Sequence, residues 1–156
     1  MKTVEPAHFR DVMGHFATGV TVVTASGPEG PVGMTANAVC SLSLDPLLAL
    51  VCFANGARTL KIVRETNRFG INVLTDQQQD LARLFASKLP EAEKFSDVQH
   101  TVHDGIPVIE GTLAWVGCAL ERLVEAGDHT IGIGAVIAAE KATERPPLIW
   151  YRGHYE

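Results

Sequence analysis

Residues 11–57 contain no lysine or arginine, and the only acids among them are Asp11, Glu29 and Asp45. That span reads as short extended segments broken by turns. Residues 20–25 are β-branched and apolar, residues 26–31 are dense in Gly, Pro and Ser, and residues 32–44 resume an extended pattern without helical period, which predicts a hairpin. Asp45-Pro46 marks a further turn. Residues 47–54 then form a nearly continuous apolar run of strand length, expected to be buried on both faces. Ahead of these strands, Phe9, Val12, Met13 and Phe16 fall at i, i+3, i+4 and i+7. This is the stripe of a short amphipathic helix, with Pro6 in its first turn and Gly19 ending the pattern.

Beyond Asn55-Gly56 the period changes. Leu60, Ile62 and Val63 among Thr59, Lys61, Arg64 and Glu65 predict a helix that ends before Phe69, and residues 69–74 read as a strand. Asp76 is placed to cap a helix carrying Leu81, Leu84 and Phe85, and the polar residues 87–104 read as a long surface connection. From Ile106 strands return, over residues 112–124, 130–139 and 148–151. Short strands without regular strand–helix alternation or internal repeat disfavour a doubly wound parallel sheet. They predict a mostly β fold with a few helices, an antiparallel barrel within a single domain spanning residues 1–156.

Charge narrows the function. With 18 Asp plus Glu against 13 Lys plus Arg, the net charge of −5 argues against nucleic-acid binding, which needs a cationic face. No apolar run reaches the roughly 18 residues of a membrane span and the first residues lack a signal-peptide core, so a cytoplasmic protein without membrane contact is expected. Cys40, Cys52 and Cys118 show no close pairing and are expected to be buried thiols. No metal site is expected. His100 and His103 lack a third ligand at suitable spacing and are placed in a solvated loop, and Gly132-Ile133-Gly134 sits inside a strand without the third glycine of a dinucleotide fingerprint. No nucleophile elbow is present.

Three segments carry chemistry beyond structure. Met34-Thr35-Ala36-Asn37-Ala38, with Ser41 and Ser43, offers hydroxyls and an amide for the edge of a planar polar ligand; a barrel strand with one polar face is the alternative. Phe53-Ala54-Asn55-Gly56-Ala57-Arg58-Thr59 crosses a strand-to-helix junction, where unpaired amides, the helix dipole, Arg58 and the Thr59 hydroxyl could seat a phosphate; an ordinary capped turn fits equally. Gly127-Asp128-His129 lies between strands, and Trp150, Tyr151 and Tyr155 crowd the last seven positions, where Tyr and Arg could edge a stacked ring or pack on a partner subunit.

Taken in order, these segments resemble the flavin reductase family, the small reductase components of two-component flavin monooxygenases. The resemblance rests on Phe9-Arg10, Met13-Gly14, Phe16-Ala17-Thr18-Gly19-Val20-Thr21-Val22-Val23-Thr24, Gly33-Met34-Thr35-Ala36-Asn37, Ser41-Leu42-Ser43-Leu44-Asp45-Pro46, Gly127-Asp128-His129 and Trp150-Tyr151-Arg152-Gly153. It implies a split β-barrel that binds FMN or FAD, works as a homodimer, and reduces flavin with NADH or NADPH for a separate oxygenase component. By position it implies flavin contacts from Met34, Thr35, Ala36, Asn37 and Ser41, then from Cys52, Phe53, Ala54, Asn55, Arg58 and Thr59 towards the phosphate, and from Phe85, Ala86 and Ser87. It puts His129 beside the nicotinamide as the catalytic residue, with Tyr151 and Arg152 on the same face. Leu47 replaces a common second proline, and Ala57 stands where a serine is frequent. The alternatives are a non-catalytic flavin-binding storage or sensor protein and a split-barrel oxidase with permanently bound FMN.

Overall fold

The structure, a computed structural model, describes residues 3–156. Helix α1 (Pro6–Met13) opens on Pro6, whose missing N–H is no loss in a first turn, and closes at Gly14, earlier than the Gly19 expected from the apolar spacing. Strand β1 (Thr18–Gly19) leads to the hairpin of β2 (Thr21–Gly27) and β3 (Gly30–Ala36), where Gly30 at φ +117 adopts a conformation that side-chain-bearing residues avoid. The extended pattern over residues 32–44 is broken at Asn37-Ala38, after which β4 (Val39–Leu44) and β5 (Leu47–Ala54) form a second hairpin across a cis Asp45–Pro46 bond. Helix α2 (Arg58–Thr66) ends on a left-handed Asn67 and β6 (Arg68–Val73) follows. Then come α3 (Gln79–Ala86), α4 (Glu91–Phe95), β7 (His100–His103), β8 (Ile106–Ile109), β9 (Ala114–Ala126), β10 (His129–Lys141), β11 (Ile149–Tyr151) and β12 (His154–Tyr155).

Seven strands form one antiparallel sheet in the order β3-β2-β6-β9-β10-β5-β4. Its two outermost strands, β3 and β4, are separated in the chain only by Asn37 and Ala38. A flat sheet of that order would hold its edges apart by about 29 Å, six spacings of about 4.8 Å, whereas three Cα steps reach only about 11 Å. The sheet is therefore curled until its edges nearly meet, which gives the split barrel expected from the sequence. Val23, Val51, Phe53, Val63, Phe69 and Cys118 fill its interior. A second apolar cluster, with Val20, Val22, Leu74, Phe85, Phe95 and Leu148, forms where α3 and α4 cover the outside.

Two strands are buried on both faces: β2, whose residues 21–25 are all buried, with Val23 turned to the interior and Val22 to the helices, and β6, whose residues 69–72 are all buried. The expectation for residues 47–54 is corrected: Ala49, Val51 and Phe53 are buried, but Leu48, Leu50 and Cys52 are half-buried because no element among the described residues covers the outer face of β5. The apolar stripe of α1 is uncovered too, with Phe9 60% and Phe16 71% exposed. Residues 87–104 form more than a surface connection. They contain α4 and β7, and α4 buries Phe95 and Lys94, the lysine 3.3 Å from Glu91. Asp76 does not cap α3. It lies 3.5 Å from Arg145, while Gln78 holds the cap position and its Oε1 accepts the Thr75 amide.

Gly132 and Gly134 mark where β10 passes over packed rings. A Cβ at Gly134 would lie 2.7 Å from both Cys118 Cβ and Phe69 Cζ, and one at Gly132 would lie 2.7 Å from Phe53 Cε2. Phe53 and Phe69 meet edge to face at 6.0 Å between those glycines and leave no room to shift. Gly134→Ala should therefore destabilise the fold by about 1–3 kcal/mol in chemical denaturation. Gly19→Ala, where no atom lies within 4 Å of the added carbon, should change stability by less than about 1 kcal/mol.

Candidate functional site

The barrel seam at Asn37-Ala38 organises the site. There the Ala38 carbonyl accepts the Cys52 amide at 2.9 Å, and Asn37 Nδ2 donates to Thr18 Oγ1 at 3.3 Å. Asn37 thereby borders two clefts. One, of about 660 Å³, runs past Met13, Phe16, Thr18, Cys40 and Cys52; the other, of about 230 Å³, is walled by Thr35, Ala86, Trp150 and Tyr155. The Thr35 hydroxyl donates to the Ala82 carbonyl at 2.6 Å, tying β3 to α3. The C-terminal hairpin is the outer wall. Trp150 pairs with Thr18 and with Tyr155, Arg152 donates its amide to Gly14 at 2.9 Å, and Arg152 and Gly153 take the left-handed conformations of a tight two-residue turn.

A second group gathers at the β5–α2 junction. Asn55 makes three contacts that lock it to the β9–β10 turn: its amide donates to Asp128 O at 3.1 Å, its Nδ2 donates to Gly127 O at 3.1 Å, and its Oδ1 accepts the Thr130 hydroxyl at 2.7 Å. His129 stands opposite Ala54 in the β10–β5 register, and its Nδ1 lies 2.7 Å from Asp128 Oδ1. The hydrogen bond and then the charge of His129 hold the Asp128 carboxyl below its ordinary value of 3.8. Because the folded value is lowered, this pairing is present above the ordinary carboxylate range and is lost only as pH falls below it.

Helix α2 begins without a capping side chain, since Ala57 has no hydroxyl or carboxylate to offer its first-turn amides. Those amides and the positive end of the dipole suit an anion. Arg58 is directed elsewhere. Its Nη2 donates to Leu89 O at 2.6 Å and its Nε lies 3.4 Å from Glu91 Oε1, so its charge is shared with α4.

Of the residues singled out from the sequence, Thr35, Asn37, Cys52 and Ala86 line the two clefts, Asn55 and His129 meet at the junction with the exposed Ala54, and Arg58 turns from it to Leu89 and Glu91. Phe53, Thr59 and Phe85 are buried at 0%, 1% and 2% exposure, and Ala36 is buried as well, so the two phenylalanine rings belong to the core. Met34 packs against the barrel interior, and Ser41 is exposed beside the irregularity in β4. The Ser87 hydroxyl closes the last turn of α3 on Leu84 O, and Tyr151 sits edge-on to His15 at 6.4 Å. Arg152 is exposed in its turn. Sequence reasoning did not select Phe16, Thr18, Trp150 and Tyr155 as wall residues. The crowding of aromatics in the tail was the signal for Trp150 and Tyr155, and the motif Phe16-Ala17-Thr18-Gly19 was that for Phe16 and Thr18.

Two expectations about side-chain chemistry are corrected. Cys40 is exposed, because the outward face of β4 lies at the sheet edge. His100 and His103 lie on β7 rather than in a loop, His103 against the Trp115 ring at 5.2 Å. Among the described residues no group of three or more His, Cys, Asp or Glu could hold a metal ion. Burial raises the Cys52 thiol and pushes Cys118 up to about 12. A thiol reagent at pH 8 should therefore modify Cys40 first and Cys52 more slowly, and should reach Cys118 only after unfolding. Mass spectrometry of the alkylated peptides checks this order.

Residues 13–156 match the family model described as Flavin reductase like domain. The reductase subunit HsaB of a flavin-dependent monooxygenase from Mycobacterium tuberculosis is 37% identical over 155 residues, covering 97% of this chain and 82% of that protein. A flavin reductase from Pseudomonas putida is 38% identical over 154 residues, covering 97% and 89%. A longer Rhizobium meliloti protein, named Probable flavin reductase, is 44% identical over 140 residues, and the chain spans 44% of its length. Among solved structures, the NADH:FAD oxidoreductase SgcE6 of Streptomyces globisporus, in complex with NAD and FAD fragments, aligns with a TM-score of 0.91 at 37% identity, covering 100% of this chain and 96% of that one.

Proposed function

The chain belongs to the flavin reductase-like family, and from that premise we propose that it is an oxidoreductase that reduces free FMN or FAD with NADH or NADPH and supplies the reduced flavin to a separate monooxygenase. The observation that carries this reading is the seam itself. The one crossover that closes the barrel places Asn37, with both donor and acceptor atoms, between two clefts, as the edge of a planar heterocycle requires. When bound, the flavin and nicotinamide rings supply the redox chemistry themselves, a hydride passing directly from one to the other.

What remains for the protein is placement. The uncapped first turn of α2 offers amides to the flavin phosphate, and Asn55 holds that turn and the Asp128-His129 turn in one rigid unit. Asp128 accepts from His129 Nδ1, which fixes the ring and leaves Nε2 for the nicotinamide nucleotide. Asn37, Thr18 and the Trp150-Tyr155 wall, whose rings lie 4.8 Å apart, confine the stacked pair from the other side. In this reading His129 orients and electrostatically assists; it transfers no proton.

A second copy of the chain completes the assembly. The uncovered stripe of α1 and the exposed Leu42, Leu44 and Leu47 of the β4–β5 hairpin form the apolar surface that a homodimer would bury, and β4 is a free sheet edge beside them. No helix among the described residues is long and apolar enough to cross a membrane.

His129→Ala should lower kcat/KM for NADH by about tenfold, equivalent to about 1.4 kcal/mol, with Asp128→Asn causing a smaller loss in the same direction. Stopped-flow flavin bleaching measures both, and an unchanged hydride-transfer rate in His129→Ala would remove the role given to that ring. Phe16→Glu or Leu44→Glu should shift the protein from dimer to monomer in sedimentation velocity, since each places a charge in an apolar interface. A dimer unaffected by both would place the interface elsewhere.

A further inference from the structure

The seam cleft of about 660 Å³ holds a pair of thiols to which hydride transfer gives no task. Cys40 is exposed on β4, Cys52 is half-buried on β5, and Met13 lines the same cleft from the end of α1. Among the described residues no carboxylate, imidazole or amine lines it. The strand register sets how the two thiols stand. Cys40 pairs with Leu50, and the Ala38 carbonyl accepts the Cys52 amide at 2.9 Å, so Cys40 and Cys52 are diagonal neighbours on one face of the β4–β5 ladder. Cys40 Sγ has a merely local partner, the Ser41 carbonyl at 3.4 Å.

That spacing excludes one chemistry and favours another. Diagonal residues on paired strands have Cα atoms about 7–8 Å apart. A disulfide needs them within about 6.8 Å, because its sulfurs lie only about 2.05 Å from each other. A metal ion between two thiolates holds the sulfurs about 4.6 Å apart, two bonds of about 2.3 Å. The extra reach of about 2.5 Å spans the diagonal without moving either strand. Burial and then the charge of Cys40 raise the Cys52 thiol, so the two sulfurs are near enough to repel once ionised. A cation between them removes that repulsion.

We propose that Cys40 and Cys52 form a two-thiolate site for a soft cation, copper(I), and that its occupancy closes the seam cleft to flavin. The site stands on the strand register; the closure rests on the flavin reductase reading. The lining selects the ion. Magnesium and calcium take oxygen ligands and find no carboxylate, and structural zinc takes four ligands where the cleft offers two thiols. Copper(I) is selected by thiolate and thioether sulfur and is satisfied by two such ligands, and Met13 adds a thioether to the same cleft. Binding is a ligand exchange without a redox step. Two S–H bonds break, two Cu–S bonds form and two protons leave, so the bound group carries one negative charge and affinity rises with pH. Asn37 and Ala38 line the cleft beside the cysteines, so the ion takes the space that the flavin edge needs, and its charge repels an anionic nucleotide. Cys118, buried with its thiol pushed up to about 12, does not compete.

The test titrates copper(I), presented under nitrogen as its coloured bicinchoninate complex, with the wild-type protein, Cys40→Ser and Cys52→Ser, the fold of each verified by circular dichroism. The expected result is one copper(I) withdrawn per wild-type chain, more tightly at pH 8 than at pH 6, and affinity weaker by more than about tenfold in each variant, since a serine hydroxyl is a poor ligand for a soft ion. Steady-state NADH oxidation with FMN and with FAD, with and without one equivalent of copper(I), is the second readout. The wild type should lose most of its rate to copper, and Cys40→Ser should keep its own copper-free rate. A wild-type chain that withdraws no copper, or a Cys40→Ser chain that withdraws it as tightly, would overturn the site. Copper bound without loss of turnover would overturn the closure and leave the site standing. A protein that reduces neither flavin in the absence of copper would instead overturn the reading on which the closure rests.

Discussion

Everything in this molecule depends on a short piece of chain that must join two strands lying at opposite ends of a seven-strand order. Asn37 and Ala38 can bridge β3 and β4 only if the sheet curls shut, so chain connectivity sets the curvature of the barrel. The curl draws Val23, Val51 and Phe69 into one interior and requires glycine at positions 132 and 134, where β10 lies against Phe53 and Phe69. It also leaves a seam. A polar residue at a seam is accessible from both sides, which is why Asn37 borders two clefts.

The terminal segments are fastened to that seam. β1 pairs with β11, Gly14 accepts from Arg152, and Asn37 donates to Thr18, so residues far apart in the chain share one wall. On the other side Asn55 fastens the α2 junction to the turn carrying Asp128 and His129. Strand pairing and hydrogen bonds hold each of these two groups in place. Rigidity is what direct hydride transfer requires, because misplacement of two stacked rings by about 1 Å is enough to slow it severely.

Charge is distributed on the same logic. The chain is acidic overall, yet its first strands lack cations entirely and its basic residues reappear along α2. The structure divides that basic group: Arg58 is drawn towards Glu91 and Leu89, Lys61 has no ion-pair partner among the described residues, and the first turn of α2 has no capping side chain. A small anionic ligand is served by such local charge, whereas a polyanion would meet net repulsion.

The sequence by itself determined the strand-rich class, the β2–β3 hairpin, the helix after Asn55-Gly56 and the order of motifs that carries the family resemblance. All of these are local: β-branched runs, turn formers and helical spacing act within a few residues of themselves. Tertiary structure alone decided what those elements face. The run over residues 47–54 was expected to be buried twice, and it has one half-exposed face because the covering helices lie over β2 instead. The stripe of α1 was legible as apolar, but nothing in its spacing says that this chain leaves it open. Arg58 and Phe85 were legible as residues of interest near a helix start or end, yet the diversion of Arg58 to Glu91 and the burial of Phe85 against Phe95 depend on α4 and the second core, which were hidden in a stretch that reads as polar connection. Propensity is a property of neighbours in sequence; burial, pairing and the direction of a charge are properties of neighbours in space.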